Sequence, residues 1–311
     1  MKLAMVFPGQ GSQSVGMLHA YAGLPEVDDV RAVAARMLGE SFVRLLDDGP
    51  AEQLALTVNT QPAMLVAGVA AFRAWRALGG SQPEVVAGHS LGEYSALVAA
   101  QALSLEEALP LVRFRAQCMQ EAVPEGLGAM AAILGLEDDA VRAACEESAQ
   151  GEAVQAVNFN APGQVVIAGH ASAVARASDA CKAKGAKRTM PLPVSAPFHS
   201  SLMQPAATRL RDALARVAIS TPRIPLINNV DVREETEPAR IRDALVRQAA
   251  APVRWVEIVR RMAQLGATHV VECGPGRVLA GLVKRIDGSL RGVALADRQS
   301  LEQALALIRG S

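Results

Sequence analysis

The residues best suited to chemistry lie in residues 88–92, GHSLG, which follow the apolar run of residues 85–87. They match the pattern G-x-S-x-G, in which a sharp strand-to-helix turn presents a serine hydroxyl as a nucleophile. A run of small residues compatible with a helix comes next. This order predicts that Ser90 is the nucleophile and that the Leu91 amide, at a helix N-terminus, stabilises an oxyanion. An ordinary glycine-rich turn is the alternative, because the pattern also occurs by chance.

A serine nucleophile needs a general base. His89 is the immediate neighbour of Ser90, so its side chain should point elsewhere. His199 follows an extended, proline-bounded segment, residues 191–197, and comes after Ser90 in the chain, as the base does in α/β-hydrolase sites. We therefore predict His199 as the base, although a lone histidine is more often structural.

Two further positions carry a functional and a structural interpretation. The loop of residues 8–13, PGQGSQ, follows a predicted first strand. It is either a second wall of the site, donating an amide near Gln10, or a plain connection.

Arg115 lies about 60° from Val112 around a predicted helix, on the edge of its apolar stripe. An arginine there usually extends its charge to solvent. Pro110 should kink this helix or delay its start.

Composition narrows the class of protein. The chain has 311 residues, of which 50% are hydrophobic and 3% aromatic, so small aliphatic side chains must build the core. Its 31 basic and 31 acidic residues balance, which argues against a nucleic-acid or membrane-surface protein. The N-terminal apolar run is too short for a signal peptide, and no later run could span a membrane. The four cysteines form no C-x-x-C pair and no zinc spacing, which favours reduced thiols in a cytoplasmic protein without a metal.

The order of predicted elements indicates an α/β fold with two domains. Strands alternate with helices through residues 1–125 and 195–311, which implies a mostly parallel sheet with helices on both faces. One of these helices should begin at residues 60–62, with Thr60 as its cap. Residues 126–194 follow the order βαββαβ, the ferredoxin-like split pattern, and look like a small domain inserted into the larger one.

Five motifs stand in order along nearly the whole chain. Together they resemble the malonyl-CoA:acyl-carrier-protein transacylases of type II fatty acid synthesis. The resemblance implies a hydrolase-like α/β core with a ferredoxin-like insertion. It also implies ping-pong malonyl transfer from malonyl-CoA to the phosphopantetheine thiol of acyl carrier protein, with no cofactor beyond the phosphopantetheine of the substrates. A monomer is expected. The motifs are residues 7–13 (FPGQGSQ), 88–93 (GHSLGE), 157–160 (VNFN), 198–200 (FHS) and 272–276 (ECGPG).

The resemblance also assigns roles near the reacting atoms. Ser90 would become malonylated, and His199 would act as base and then as acid. Gln248 would hold the histidine through its amide or its backbone carbonyl, because the family has no third carboxylate. The amides of Gln10 and Leu91 would form the oxyanion hole. Arg115 would bind the malonyl carboxylate, and Phe198 would limit bulk at the malonyl α-carbon.

More distant contacts and other functions remain open at this stage. Lys187 and Arg188 could meet CoA phosphates or an acidic carrier, or form a solvated face. The same transfer could serve a malonate decarboxylase or a polyketide carrier, or a serine hydrolase could pass the acyl group to water. The intact set of Ser90, His199 and Arg115 argues against a non-catalytic scaffold. Residues that could line a phosphopantetheine channel are Gln61, His89, Asn158 and Asn160.

Overall fold

Two β-sheets organise the chain, which a computed structural model describes over residues 2–194 and 196–309. Five strands form a parallel sheet and four form an antiparallel sheet. The strands are β1 (Leu3–Phe7), β2 (Val85–Gly88), β3 (Gly128–Leu134), β4 (Val154–Ala161), β5 (Gln164–His170), β6 (Arg188–Pro191), β7 (Leu226–Ile227), β8 (His269–Cys273) and β9 (Arg291–Leu295).

Helices surround both sheets. They are α1 (Pro25–Leu38), α2 (Glu40–Asp48), α3 (Ala51–Leu54), α4 (Thr57–Ala77), α5 (Gly92–Ala99), α6 (Leu105–Glu121), α7 (Asp138–Ala149), α8 (Ala171–Ala183), α9 (Gln204–Leu214), α10 (Pro238–Gln248), α11 (Trp255–Gln264), α12 (Val278–Ile286) and α13 (Arg298–Arg309). No helix within residues 2–194 and 196–309 is both long and apolar enough to cross a membrane.

The parallel sheet has the spatial order β7-β2-β1-β8-β9 and is buried on both faces. Side chains alternate along β1. Met5 and Phe7 join a large cluster that includes α4, α5 and α6, whereas Ala4 and Val6 join a second cluster with α11 and α12. This alternation is what a central strand of a two-faced α/β sheet requires. The predicted mostly parallel α/β core is therefore confirmed.

The antiparallel sheet has the order β4-β5-β3-β6. Helices α7 and α8 pack on one of its faces and share a cluster of buried residues with β3, β4 and β5. On the other face, Val157 and Val166 pack with Cys118 and Met119 of α6, which ties this sheet to the larger part of the molecule.

The structure corrects the start of one predicted helix and excludes a delayed start for another. Helix α4 begins at Thr57, so Thr60 is not its cap. The Thr60 hydroxyl instead donates to the Leu54 carbonyl at 2.6 Å, which satisfies a backbone group of the preceding turn. Helix α6 begins directly after Ser104, whose Oγ accepts from the Glu107 amide at 3.2 Å. Pro110 therefore does not delay the helix, because the cap fixes its start five residues earlier.

Candidate active site

A strained turn after β2 carries Ser90. The φ of Ser90 is 53°, in the left-handed backbone region that residues other than glycine rarely adopt. A Cβ on Gly88 would lie 1.8 Å from the Gly92 carbonyl carbon, and one on Gly92 would lie 2.0 Å from the Phe7 oxygen. Both positions therefore require glycine. The Asn229 side chain locks the turn, accepting from the Ser90 amide at 2.8 Å and donating to the Gly88 carbonyl at 2.7 Å.

The serine hydroxyl meets an imidazole. Ser90 Oγ lies 2.7 Å from His199 Nε2, and His199 Nδ1 lies 2.9 Å from the Gln248 backbone carbonyl oxygen. A carbonyl only accepts, so Nδ1 carries the proton and Nε2 is free to accept from the hydroxyl. Burial, aided by the charge of Arg115, lowers the pKa of His199 to about 3. A neutral imidazole beside a hydroxyl is the arrangement of a general base.

Two backbone amides lie in loops that leave the sheet at the same edge. Strands β1 and β2 are parallel neighbours with Phe7 opposite Gly88, so the loops that follow them leave the sheet together. Within the described part of the chain, neither the Leu91 amide nor the Gln10 amide has a hydrogen-bond acceptor. The Gln10 side chain turns away to donate to Thr57 Oγ1 at 3.2 Å.

A buried guanidinium reaches the serine from α6. Arg115 is 1% exposed, which rules out the alternative that it extends to solvent. Its Nη1 donates to Gln61 Oε1 at 2.6 Å, and its Nη2 donates to Gln248 Oε1 at 2.9 Å and to Ser90 Oγ at 3.2 Å. Among residues 2–194 and 196–309, Arg115 Nε has no partner and no carboxylate pairs with the guanidinium.

Gln248 connects most of these groups. Its backbone carbonyl, rather than its side-chain amide, contacts His199. The side-chain Nε2 donates to the Ser90 carbonyl at 2.9 Å and to Glu93 Oε2 at 2.8 Å. Glu93 and Asn229 were not predicted as site residues. Glu93 had a sequence signal, since it is the one charged residue in the apolar run after Ser90, whereas the contacts of Asn229 depend on distant segments.

The remaining predicted residues lie at different distances from this network. His89 points away from Ser90, and its Nε2 lies 2.8 Å from Asn160 Oδ1. Gln61 is 1% exposed and bonds to Arg115, so it supports the guanidinium and does not line an open channel.

Four predicted residues lie beside this network or away from it. Asn158 has a buried Oδ1 without a partner among the described residues, and Phe198 is buried directly before His199. Lys187 and Arg188 are exposed where β6 begins, and neither contacts the Ser90 network in the part of the chain that the structure describes. No group of metal-binding side chains occurs within that same part.

The chain is similar to known proteins along nearly its whole length. The acyl transferase domain family matches residues 4–294. The malonyl CoA-acyl carrier protein transacylase of Salmonella typhimurium is 54% identical over 305 residues, covering 98% of this chain and 99% of that protein. The Bacillus subtilis protein of the same name is 43% identical over 310 residues, covering 99% and 98%.

Solved structures give the same result. An acyl-carrier-protein S-malonyltransferase from Burkholderia pseudomallei has a TM-score of 0.96 and 60% identity, covering 98% of this chain and 99% of that one. A malonyl-transacylase solved in complex with a type II polyketide acyl carrier protein has a TM-score of 0.97 and 51% identity, covering 99% and 100%. The predicted resemblance is confirmed, and the chain belongs to the acyl transferase family, among the malonyl-CoA:acyl-carrier-protein transacylases.

Proposed function

We propose that this protein transfers a malonyl group from malonyl-CoA to the phosphopantetheine thiol of an acyl carrier protein through a malonyl ester on Ser90. One observation carries the proposal: the Arg115 guanidinium lies 3.2 Å from the serine oxygen and contacts no carboxylate among the described residues. A buried cation beside a nucleophile fits an acyl group that brings its own negative charge.

The first half-reaction loads the serine. As Ser90 Oγ attacks the thioester carbonyl carbon, His199 Nε2 takes the hydroxyl proton. The amides of Leu91 and Gln10 would stabilise the oxyanion that forms. When the C–S bond breaks, the CoA thiolate leaves and takes the proton from His199. The second half-reaction runs in reverse order, with the carrier thiol giving its proton to His199 and attacking the malonyl ester.

A carbonyl takes the place of a triad carboxylate. Gln248 O, 2.9 Å from His199 Nδ1, fixes the tautomer and the orientation of the ring. A neutral oxygen stabilises the imidazolium less than a carboxylate would. The reaction tolerates this loss, because a thiolate is a better leaving group than the amine of a peptide.

Selectivity would come from the shape and charge of the acyl pocket. The guanidinium fork is held by the neutral amide oxygens of Gln61 and Gln248, which an incoming carboxylate can replace with two charge-assisted hydrogen bonds. Phe198, buried directly before His199, would limit bulk at the malonyl α-carbon.

More distant assignments belong to the same proposal. Asn158, Asn160 and His89 would line the approach for phosphopantetheine, and Lys187 with Arg188 would meet CoA phosphates or an acidic carrier. The enzyme would act as a cytoplasmic monomer without a cofactor of its own.

The domain organisation is also proposed. The strand order β4-β5-β3-β6 with two helices on one face supports a ferredoxin-like inserted domain over residues 126–194. The larger domain would comprise residues 1–125 and 195–311. Its boundary at residue 195 and its last two residues lie outside the described residues.

Intact-protein mass spectrometry tests the function directly. After mixing with malonyl-CoA, we expect a malonyl mass increase that maps to Ser90, disappears on addition of holo acyl carrier protein, and is absent in Ser90→Ala. A hydrolase would release CoA without accumulating the adduct, and a scaffold would do neither. Either result, or an adduct on another side chain, would contradict the proposal.

The carrier is tested separately. A structure with 51% identity to this chain holds a type II polyketide carrier, so a polyketide pathway is the second candidate. Adduct discharge should be compared between fatty acid, polyketide and malonate decarboxylase carriers at equal concentration. Faster discharge by either of the latter two would assign the enzyme to that pathway.

A further inference from the structure

Glu93 is a buried carboxylate in the first turn of α5 that the transfer reaction has not yet used. It is 1% exposed, and every other residue of α5 is buried as well. A single oxygen, Oε2, accepts both from the Asn229 amide at 3.0 Å and from Gln248 Nε2 at 2.8 Å. A buried charge without compensation is costly, so a positive partner is expected nearby.

That partner is Arg115, and an amide separates the two. Arg115 Nη2 donates to Gln248 Oε1 at 2.9 Å, while Gln248 Nε2 donates to Glu93 Oε2 at 2.8 Å. The Gln248 amide therefore bridges the Arg115 cation and the Glu93 carboxylate. Because the Glu93 carboxylate does not touch the guanidinium, it balances the charge of Arg115 while the fork contacts only neutral oxygens, which another anion can displace.

We propose that Glu93 is the internal counter-charge of Arg115 and sets how tightly the malonyl carboxylate is held. This inference rests on the proposed function. Without Glu93, the guanidinium would be an uncompensated buried cation and would bind an anion more strongly. With Glu93 in place, the arriving carboxylate is repelled across Gln248, so the malonyl group is held weakly enough to move on to the carrier. Glu93 acts through Arg115 and Gln248 and is therefore a positioning residue.

Protonation provides a signature of this arrangement. Burial raises the pKa of Glu93 to about 7, and the positive charge of Arg115 opposes that rise. Once a substrate carboxylate neutralises Arg115, this opposition weakens and the pKa of Glu93 rises further. Malonyl binding should therefore take up a proton at pH values just above 7.

The other ionisable groups facing Glu93 do not obscure this signature. Asp231 raises the pKa of Glu93 but is itself paired with Arg247 at 2.7 Å. Burial raises the pKa of Tyr94 to about 12, and His199 has a pKa of about 3, so both are neutral near pH 7.

The test measures binding without chemistry. Ser90→Ala is the host, and calorimetry follows malonyl-pantetheine, which carries the carboxylate but no phosphate, and acetyl-pantetheine, which carries neither. Glu93→Gln is then added. The glutamine can place Oε1 where Oε2 lies and keep both hydrogen bonds, so only the charge changes. At pH about 8.5, Glu93→Gln removes the repulsion between the Glu93 carboxylate and the malonyl carboxylate. We expect malonyl-pantetheine to bind about tenfold more tightly, because the two charges interact through protein of intermediate dielectric.

Three comparisons accompany this gain. At pH about 6, where Glu93 is already protonated, the gain should disappear. Acetyl-pantetheine affinity should not change at either pH. Glu272→Gln is the matched control, since Glu272 is fully buried but accepts from the Ala280 amide of α12, so it should leave both affinities unchanged.

Repeating the titration near pH 7.5 in buffers of different ionisation enthalpy measures proton uptake, which should be a fraction of a proton with Glu93 present and none with Glu93→Gln. Unchanged or weaker malonyl binding in Glu93→Gln overturns the inference, because a residue that only holds Asn229 and Gln248 would give that result. If Glu93→Gln does not fold, absence of proton uptake in the Ser90→Ala host alone overturns it. A host that does not prefer the malonyl over the acetyl thioester instead contradicts the proposed function.

Discussion

Replacing Arg115 by lysine should separate malonyl transfer from acetyl transfer. The guanidinium spreads two nitrogens between two acceptors, Gln61 Oε1 at 2.6 Å and Gln248 Oε1 at 2.9 Å. A lysine retains the charge, but its single nitrogen cannot occupy both positions or present a planar fork to a carboxylate. Arg115→Lys therefore keeps the positive charge but loses the planar pair of hydrogen-bond donors.

The size of the effect follows from one lost interaction. A hydrogen bond to a charged group contributes about 1.5–3 kcal/mol, which corresponds to a loss of about tenfold to a hundredfold in kcat/KM for malonyl-CoA. Acetyl-CoA carries no carboxylate for the guanidinium to bind, so its kcat/KM should change by less than about threefold.

The assay compares both donors with one carrier and reports the ratio of their kcat/KM values. Arg113→Lys is the matched control on the same helix, because Arg113 is half-buried, stacks on Phe42 and does not contact Ser90. It should leave both donors unchanged. Thermal unfolding of each variant checks that the fold is intact. An equal loss for malonyl-CoA and acetyl-CoA in a folded Arg115→Lys protein would refute the carboxylate clamp.

Two other predictions concern the turn and the base. Gly92→Ala should abolish adduct formation, because its Cβ would lie 2.0 Å from the Phe7 oxygen, whereas Gly281→Ala, with no atom within 4 Å of the new Cβ, should keep activity and raise stability by about 0.5–1 kcal/mol. Because the pKa of His199 is lowered to about 3, kcat/KM for serine loading should show no acid-side loss at the ordinary imidazole pKa. As the pH falls, the unfolded chain protonates His199 before the folded chain does. The free energy of unfolding should therefore be unaffected by this group above pH about 6.5 and should decrease as the pH falls towards 3. Urea titrations should show that His199→Gln removes this slope. A loading rate that falls with an ordinary histidine pKa, or an active Gly92→Ala protein, would contradict these arguments.

The sequence is most informative where structure depends on neighbouring residues. The turn at Ser90 was predictable because its steric needs lie two residues to either side, at Gly88 and Gly92. It is least informative where contacts join distant segments. Whether Gln248 uses its amide or its carbonyl stayed open, because the answer depends on how α10 ends beside His199. The role of Glu93 needed the same long-range contact.

The sequence alone does not predict α11, β9 or α13. Helix α11 follows Pro252 closely, and a proline favours interpretation of the segment as a loop. Strand β9 is an edge strand with mostly half-exposed residues, so it lacks the apolar run of its neighbours. Without β9, α13 has no sheet on which to place its apolar side.

Strand β4 limits how this enzyme can be re-engineered. Val253 N donates to the Val157 carbonyl at 2.8 Å, and the Phe159 amide donates to the Val253 carbonyl at 3.0 Å, so β4 also pairs with the segment before α11. The His89–Asn160 contact crosses the same boundary. Because these bonds join backbone groups, a chimaera that exchanges the antiparallel sheet with that of a relative must keep the register between β4 and residues 251–254, or the groups lose their partners. The junction between the two sheets therefore constrains any exchange of whole segments, a constraint that point substitutions on exposed faces avoid.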